Sequence, residues 1–150
     1  MDTLQLLRGV ELFDGLSDDE LSRLLALCRE ARYQKGDILT RQGQAGSELF
    51  IVREGLVEVT VGAPNASAET PPQTVINLGA GQVVGEMALV DGGPRSATVR
   101  CVAATTIVYA IERDTFEQLC QADHHIGLVI YRNLAADLSF KLRHRNLARR

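Results

Sequence analysis

The sequence predicts an α+β fold, in which helices at both ends of the chain flank a central β sandwich or jelly roll. Apolar residues recur at helical spacing over about residues 2–30 and 114–150, whereas short Val-, Ile- and Thr-rich segments separated by glycines occupy about 32–112. A length of 150 residues suits one domain with a hydrophobic core. We therefore expect a single domain over residues 1–150.

The N-terminal segment carries the start signal of a helix. Ser17 and Glu20 have the spacing of a capping box, in which the serine side chain caps the helix and the glutamate reaches back to the cap. A shorter helix over about residues 2–8 is expected to precede it. The apolar residues after the cap recur at helical spacing: Leu21, Leu24, Leu25, Leu27 and Cys28.

The middle of the chain has the composition of short strands joined by tight turns. β-Branched and aliphatic residues favour strands, and glycine permits the turn conformations between them. Residues 63–73 hold three prolines and small polar residues, and are predicted to form a long, mobile hairpin loop with no function of its own. The predicted strands cover residues 38–40, 49–53, 57–61, 74–78, 96–101 and 106–111.

The C-terminal part is predicted to hold two helices, the second of which carries an apolar stripe. The first helix starts near Asp114, and the second follows His125. Such a stripe must be buried, either against the helix's own domain or against a second copy of the chain. Because the stripe is short and basic residues flank it, a monomer is favoured over a homodimer. The stripe consists of Leu128, Tyr131, Ala135, Leu138 and Leu142.

Composition and charge exclude several classes of protein. A formal net charge of −3 creates no strong field toward nucleic acid or anionic lipid. The acidic N-terminus does not resemble a signal peptide and no apolar run is long enough to cross a bilayer, so we expect a cytoplasmic location without membrane attachment. The three cysteines are widely spaced and odd in number, which predicts reduced thiols.

Metal sites and catalytic constellations find no support in the sequence. His124, His125 and His144 fall in predicted helix or loop rather than on facing strands, so they are expected to be exposed and no metal site is predicted. No Ser-His-Asp, Cys-His or paired-carboxylate pattern stands out. We therefore do not expect the chain to be an enzyme or to require a cofactor.

The most informative stretch begins at Gly85. The run from Gly85 to Leu89 indicates a strand end that opens into one helical turn, whose free N–H groups suit an anion. After a short turn, strand alternation would place Arg95, Ala97 and Val99 on one face. An arginine half-buried among small apolar residues needs an anionic partner, which Glu86 could supply and a phosphate would supply better.

This stretch resembles the phosphate-binding cassette of cyclic nucleotide-binding domains of the catabolite activator protein type. The family pattern is matched by Val84-Gly85-Glu86-Met87-Ala88-Leu89, where Val84 replaces the usual phenylalanine, and by Pro94-Arg95-Ser96-Ala97-Thr98-Val99. The resemblance covers nearly the whole chain. It implies an eight-stranded β jelly-roll barrel with N-terminal helices, a short cassette helix and C-terminal helices. Further family residues occur at 12–17, 35–37, 42–43, 54–55, 57 and 59.

The resemblance also implies a role for each cassette residue. Arg95 would bind the exocyclic oxygens of a cyclic phosphate with its forked guanidinium, and Glu86 would accept the ribose 2′-hydroxyl. Gly85 would let the backbone approach the sugar. The implied ligand-binding set is completed by the amides of Met87 and Ala88 over the phosphate, by the Ser96 hydroxyl, and by Val84 and Ala97.

The implied function is that of a receptor for a cyclic mononucleotide, with cAMP taken as the ligand, which acts through an unidentified protein partner. In the family, the ligand draws the C-terminal helix toward the base, so that occupancy shifts a population of conformations. Base selectivity would come from Ser96 and from the last helix. There, Ser139 and Lys141 stand in place of the hydroxyls that read adenine in the family.

Two other functions stay open at this point. The chain could be an interaction module with an idle pocket, whose working surface is the stripe from Leu128 to Leu142, or the sensor fragment of a larger regulator, channel or transporter. Transcription factors of the family carry a helix-turn-helix domain after the last helix. Because the chain ends at Arg150, we expect no DNA binding by the chain itself.

Overall fold

A computed structural model describes residues 2–62 and 73–148. The elements follow the predicted order of helices, strands and helices. The helices are α1 (Thr3–Arg8), α2 (Asp18–Leu25), α3 (Ala88–Asp91), α4 (Arg113–Ala122) and α5 (His124–Ala148), with a 3₁₀ turn at Glu11–Phe13. The strands are β1 (Arg29–Gln34), β2 (Ile38–Thr40), β3 (Glu48–Glu54), β4 (Val57–Val61), β5 (Gln73–Leu78), β6 (Val83–Val84), β7 (Thr98–Cys101) and β8 (Thr105–Glu112).

The chain divides into two compact units, which are described separately. A β unit spans Leu27–Phe116, and a helical unit comprises the residues up to Ala26 and those from Glu117 onward. The expectation of a single domain over 1–150 stays a prediction. Most of the predicted loop 63–73 lies outside the described residues, and its last residue, Gln73, begins β5.

The β unit is a jelly-roll barrel, as the sequence predicted. Within the described residues, eight strands form two four-stranded antiparallel sheets, in the orders β1-β8-β3-β6 and β2-β7-β4-β5. The two sheets enclose one apolar core. Its buried members are Phe50, Val52, Val57, Val84, Val99, Cys101, Val108 and Ala110.

Two strands were missed in the sequence, and the barrel therefore begins at Arg29 rather than near residue 32. β1 has only half-buried residues on its inner face, Ala31 and Tyr33, and every other position is exposed. Its pairing with β8, from Arg29 opposite Ala110 to Gln34 opposite Thr105, holds it in the sheet. β6 is only two residues long, which is too short for a periodic signal.

The helical unit confirms the predicted N-terminal helices and the capping box. The Ser17 backbone N–H donates to Glu20 Oε1 at 2.9 Å, and the Glu20 N–H donates to Ser17 Oγ at 3.2 Å. α5 packs on the 3₁₀ turn, where the Asn133 amide donates to the carbonyls of Leu12 and Asp14 at 2.9 and 2.8 Å. These bonds satisfy backbone groups that the turn leaves open.

The buried face of α5 differs from the predicted stripe, so the expectation that the stripe packs against the helix's own domain is wrong, while its burial against a second copy stays a prediction. The large apolar residues of α5 that are buried, Ile126, Val129, Ile130 and Leu134, recur at i, i+3, i+4 and i+8. Leu128 is 62% exposed and Leu142 is 59% exposed. At about 100° per residue the two sets lie on roughly opposite faces of the helix. Aliphatic residues follow helical spacing on both faces, so periodicity alone could not identify the buried one.

The cysteines are free thiols in the described part of the chain: Cys28 and Cys120 are half-buried and Cys101 is buried. Burial raises the pKa of Cys28 to about 11, and burial is also the main cause that raises the pKa of Cys120 to about 11. Both thiols are therefore protonated at neutral pH and are poor nucleophiles. None of the helices within residues 2–62 and 73–148 combines the length and hydropathy of a membrane span.

Candidate ligand-binding site

The cassette is a turn followed by one short helix. Gly85 follows β6 with a φ of 76°, which an L side chain rarely adopts. Its carbonyl accepts the Ala88 N–H at 3.0 Å, and α3 then runs from Ala88 to Asp91. Gly92 ends the helix in the left-handed conformation, and Asp91 Oδ1 accepts the Gly93 N–H at 2.9 Å. The predicted single helical turn is confirmed.

The segment around Arg95 is fastened to the loop between β2 and β3. The Arg95 N–H donates to the Gln44 carbonyl at 2.8 Å, and the Gly43 N–H donates to the Arg95 carbonyl at 2.9 Å. β7 starts only at Thr98, so Arg95 and Ala97 precede the strand and the predicted alternation from Arg95 to Val99 is wrong. The backbone of Arg95 bonds a loop instead of continuing the sheet, which is why strand geometry does not reach it.

The Arg95 side chain occupies a narrow slot, which we call the arginine slot and define by Gly46, Glu48, Phe50 and Gly85. Its Nη1 donates to the Glu48 carbonyl at 2.8 Å, and its guanidinium carbon lies 5.6 Å from the centre of the Phe50 ring. A Cβ built on Gly46 would overlap the Arg95 Nε. A Cβ on Gly85 would lie 2.6 Å from Nη1. Glycine at both positions therefore makes room for the guanidinium.

Burial governs the electrostatics of this arginine. Desolvation lowers the pKa of the Arg95 guanidinium from its ordinary value, while the carboxylates of Glu48 and Glu112 act in the opposite sense. The ordinary pKa of arginine lies far above neutral pH, so the group stays charged. The slot thus holds a half-buried cation that uses one N–H group on the Glu48 carbonyl.

Six of the eight predicted site residues, all in the described part of the chain, line one cavity of about 220 Å³. The other two do not line it. Val84 is buried in the barrel core, and Ala97 is half-buried with its carbonyl accepting the Thr40 hydroxyl at 3.0 Å. The six are Gly85, Glu86, Met87, Ala88, Arg95 and Ser96. Asp91, Gly93 and Pro94 complete the lining.

A larger cavity, of about 610 Å³, lies on the side of Arg95 that faces β2 and β3. It is lined by residues 36–41, 44–48 and 50 together with Arg95, which therefore borders both cavities. The smaller cavity is the candidate site, because it combines the cation of Arg95 with the Glu86 carboxylate and the N-terminal turn of α3. Among the described residues, no group of three or more His, Cys, Asp or Glu could hold a metal ion.

Sequence reasoning missed three members of the arginine slot: Gly46, the Glu48 carbonyl and Phe50. They lie about fifty residues before Arg95, and no local pattern links them to it. Gly46 was one glycine among several in a turn-rich region, and only its position against the Arg95 side chain distinguishes it.

A sequence profile described as the cyclic nucleotide-binding domain matches residues 30–123 of the chain. The chain belongs to that family. It is 34% identical over 114 residues to the cGMP-dependent protein kinase, isozyme 2, of Drosophila melanogaster, an alignment that covers 75% of this chain and 12% of the kinase. It is also 34% identical over 134 residues to a cyclic nucleotide-gated potassium channel of Mesorhizobium japonicum, covering 89% of this chain and 34% of the channel.

A solved structure supports the same fold. The cyclic nucleotide-binding domain resembles the regulatory domain of Toxoplasma gondii PKA in its co-crystal with cAMP, with a TM-score of 0.75 and 28% identity over 91% of this chain and 48% of that one. The chain thus spans a small part of the relatives it matches, and the kinase part of the first relative lies outside the match. What is established is a regulatory domain of a family that binds cyclic nucleotides.

Proposed function

We propose that the chain is a receptor for a cyclic mononucleotide, most simply cAMP, that holds the ribose-phosphate in the cassette cavity and relays occupancy through α5 to a protein partner. One observation carries the proposal. In a member of the cyclic nucleotide-binding family, Glu86, Arg95 and Ser96 converge on a single cavity beside the first turn of α3. These groups match the chemistry of a cyclic ribose-phosphate, which has one anionic phosphate and one free hydroxyl.

Arg95 supplies the main contact of the proposed complex. Its planar guanidinium offers five N–H donors, of which the Glu48 carbonyl takes one, so donors stay available to two phosphate oxygens. Each charge-assisted bond contributes about 1.5–3 kcal/mol. The half-buried position of Arg95 strengthens the attraction, because water screens it less.

The remaining cassette residues orient the sugar and the phosphate. Glu86 is half-buried at the cavity and accepts the 2′-hydroxyl in the proposed complex, and Gly85 admits the sugar because it has no Cβ. Ser96 is exposed at the cavity and donates to the phosphate. The Ala88 N–H already donates to the Gly85 carbonyl. A phosphate above α3 would therefore share the Ala88 N–H with that carbonyl, and it would also lie close to the Met87 N–H.

The choice of cAMP as the ligand is the finer part of the proposal. Among the relatives, cAMP is bound in the PKA regulatory domain, whereas the kinase is named for cGMP. The ribose-phosphate contacts serve both nucleotides equally. Within the cassette, we take Ser96 as the residue that distinguishes the two bases. Competition between cAMP and cGMP for the same protein measures its relative affinity for the two nucleotides.

Calorimetric titration of protein freed of copurified nucleotide tests the proposal. We expect cAMP to bind with a micromolar or lower Kd, which corresponds to at least ~8 kcal/mol of binding free energy. The matched control is the Arg95→Leu protein, which should keep the barrel but lacks the side chain that binds the phosphate in the proposed complex. Absence of heat and of thermal stabilisation with millimolar cAMP, cGMP and other cyclic mononucleotides would reject the receptor function.

A second candidate is an interaction module that works through α5 with an idle cavity. The observation that favours it is the exposure of Leu128 and Leu142 on one face of α5. The titration with cyclic nucleotides separates the two candidates, because only the receptor responds. The monomeric state, the cytoplasmic location, the absence of DNA binding and the possibility of a larger parent protein stay predictions.

A further inference from the structure

We infer that Gly46 is a positioning residue for the ligand: its missing side chain admits Arg95 to the arginine slot, and the slot holds the guanidinium in the orientation in which it meets the phosphate. This inference rests on the proposed function and extends it to a residue outside the cassette. Gly46 lies on the loop between β2 and β3 and does not line the cassette cavity.

The geometry around Gly46 carries the inference. A Cβ on Gly46 would overlap the Arg95 Nε, and would lie 2.6 Å from Nη2, well inside van der Waals contact. The opposite wall of the slot is Gly85, with the Glu48 carbonyl as the hydrogen-bond acceptor and the Phe50 ring beside the guanidinium. The side chain therefore fits only while residue 46 is glycine.

Replacement of Gly46 by alanine is a selective perturbation. The φ of Gly46 lies outside the left-handed region, so its backbone accepts an L residue without strain. The atoms that alanine would meet belong to the far end of a flexible side chain, which can move away at little cost. Gly85 offers no such test, because its φ of 76° would strain any L residue.

Displacement of Arg95 should weaken binding for two reasons. A free arginine samples many rotamers, and the ligand must then immobilise the side chain at its own expense. The displaced guanidinium also loses the Glu48 and Phe50 contacts that fix the direction of its fork. We expect Gly46→Ala to raise the Kd for cAMP at least about tenfold.

Gly79→Ala is the matched control. Gly79 also lies in a turn of the β unit with φ outside the left-handed region, and a Cβ there would have no neighbour closer than 3.8 Å. We expect this variant to keep the Kd within about twofold of that of the unmodified protein. Thermal melting without ligand should show both variants folded. If Gly46→Ala fails to fold, the Arg95 side chain does not yield as inferred, and the inference is wrong.

A double-substitution cycle asks whether Gly46 acts through Arg95. In an Arg95→Lys background the guanidinium is absent and the Kd is expected to be about millimolar, which an NMR titration with millimolar cAMP can follow. Adding Gly46→Ala there should change the Kd by less than about twofold. Equal losses from Gly46→Ala in both backgrounds, or unchanged binding by the single variant, would overturn the inference.

A ligand-free measurement separates this inference from the proposed function. The Arg95 Nε–H resonance, identified by its loss in Arg95→Lys, should exchange slowly with solvent in the unmodified protein and rapidly in Gly46→Ala. Similar exchange in both proteins would show that Gly46 does not hold the side chain. If no cyclic nucleotide binds the unmodified protein, the proposed function is wrong, and so is the role of Gly46 in ligand binding. The exchange rates would still decide whether Gly46 positions the Arg95 side chain.

Discussion

At the scale of single residues, Arg95 is the group on which we expect binding to depend most. It is half-buried, it stays charged, and it lines the cavity that also contains Glu86 and Ser96. A half-buried cation of this kind is retained at a cost in desolvation, which an anionic ligand offsets. In the proposed function, that anion is the phosphate of the cyclic nucleotide.

We predict that Arg95→Leu abolishes binding while the domain stays folded. Two lost charge-assisted bonds of about 1.5–3 kcal/mol each account for roughly three orders of magnitude in affinity. Arg95→Lys should restore little, because an ammonium group lacks the planar fork. Calorimetry measures the affinity and circular dichroism verifies the fold. A leucine variant that binds cAMP within tenfold of the unmodified protein would contradict the role of Arg95.

Glu86→Gln should show whether residue 86 contacts the sugar of the ligand or another part of it. The amide is a weaker acceptor than the carboxylate, so the variant should bind cAMP less tightly. Its affinity for 2′-deoxy-cAMP should change much less, because that ligand has no hydroxyl for residue 86 to accept. Titration of both proteins with both ligands gives the comparison. An equal loss for the two ligands would show that Glu86 does not contact the 2′-hydroxyl.

At the scale of single elements, the start of α2 is stabilised by a cluster around Glu20. Its Oε1 accepts the Ser17 N–H, and its Oε2 lies 2.6 Å from Nδ1 of His125 on α5. The bond from the Ser17 backbone is the main cause that lowers the pKa of Glu20, and the His125 contact adds to it. His125 was predicted to be exposed, and its side chain is 56% exposed although it makes this contact.

The pKa shift predicts the direction of a pH dependence. A carboxylate whose pKa is lowered by folding stabilises the folded state above its unfolded pKa, near 4.5, and this contribution is lost as the pH falls through the lowered folded value. Glu20→Gln should therefore lower the free energy of unfolding at pH 7, and should lower it less at pH 3. Urea denaturation measures it. Asp19→Asn, an exposed carboxylate on the same turn, is the control, and a gap that widens toward low pH would contradict the prediction.

The two faces of α5 should respond differently to substitution. Ile130 is fully buried in the helical unit, and Ile130→Ala should lower the free energy of unfolding by about 2–5 kcal/mol because it leaves a cavity. Leu128, 62% exposed, should change it by less than about 0.5 kcal/mol when replaced by alanine. Chemical denaturation of both variants gives the comparison. Equal losses would mean that Leu128 is covered in solution, and sedimentation would then identify a dimer.

At the scale of the whole molecule, ligand binding should appear as stability. A ligand that binds only the folded state at one hundred times its Kd raises the free energy of unfolding by about 2.7 kcal/mol. cAMP should therefore raise the melting temperature of the unmodified protein, and the increase should grow with the logarithm of its concentration. The Arg95→Leu protein should show no increase over the same range. Stabilisation that persists in this variant would place the ligand outside the cassette.

Local signals determined much of this protein without tertiary information. The capping box at Ser17 and Glu20, the strand from Val57 to Val61 and the turn into α3 depend on residues within a few positions of each other, so the order of residues suffices to predict them. The run from Gly85 to Val99 is equally local, and it indicated the family that the profile match then established.

Only the tertiary structure decided the features that depend on residues far apart in the chain. β1 becomes a strand because it pairs with β8, whose residues lie about seventy to eighty positions later in the chain, and α5 buries the face of Ile130 rather than that of Leu128. The arginine slot joins Gly46, Glu48 and Phe50 to an arginine almost fifty residues away. Periodicity reports which residues share a face, but burial and close packing depend on which other surface that face meets, and the order of residues does not contain that information locally.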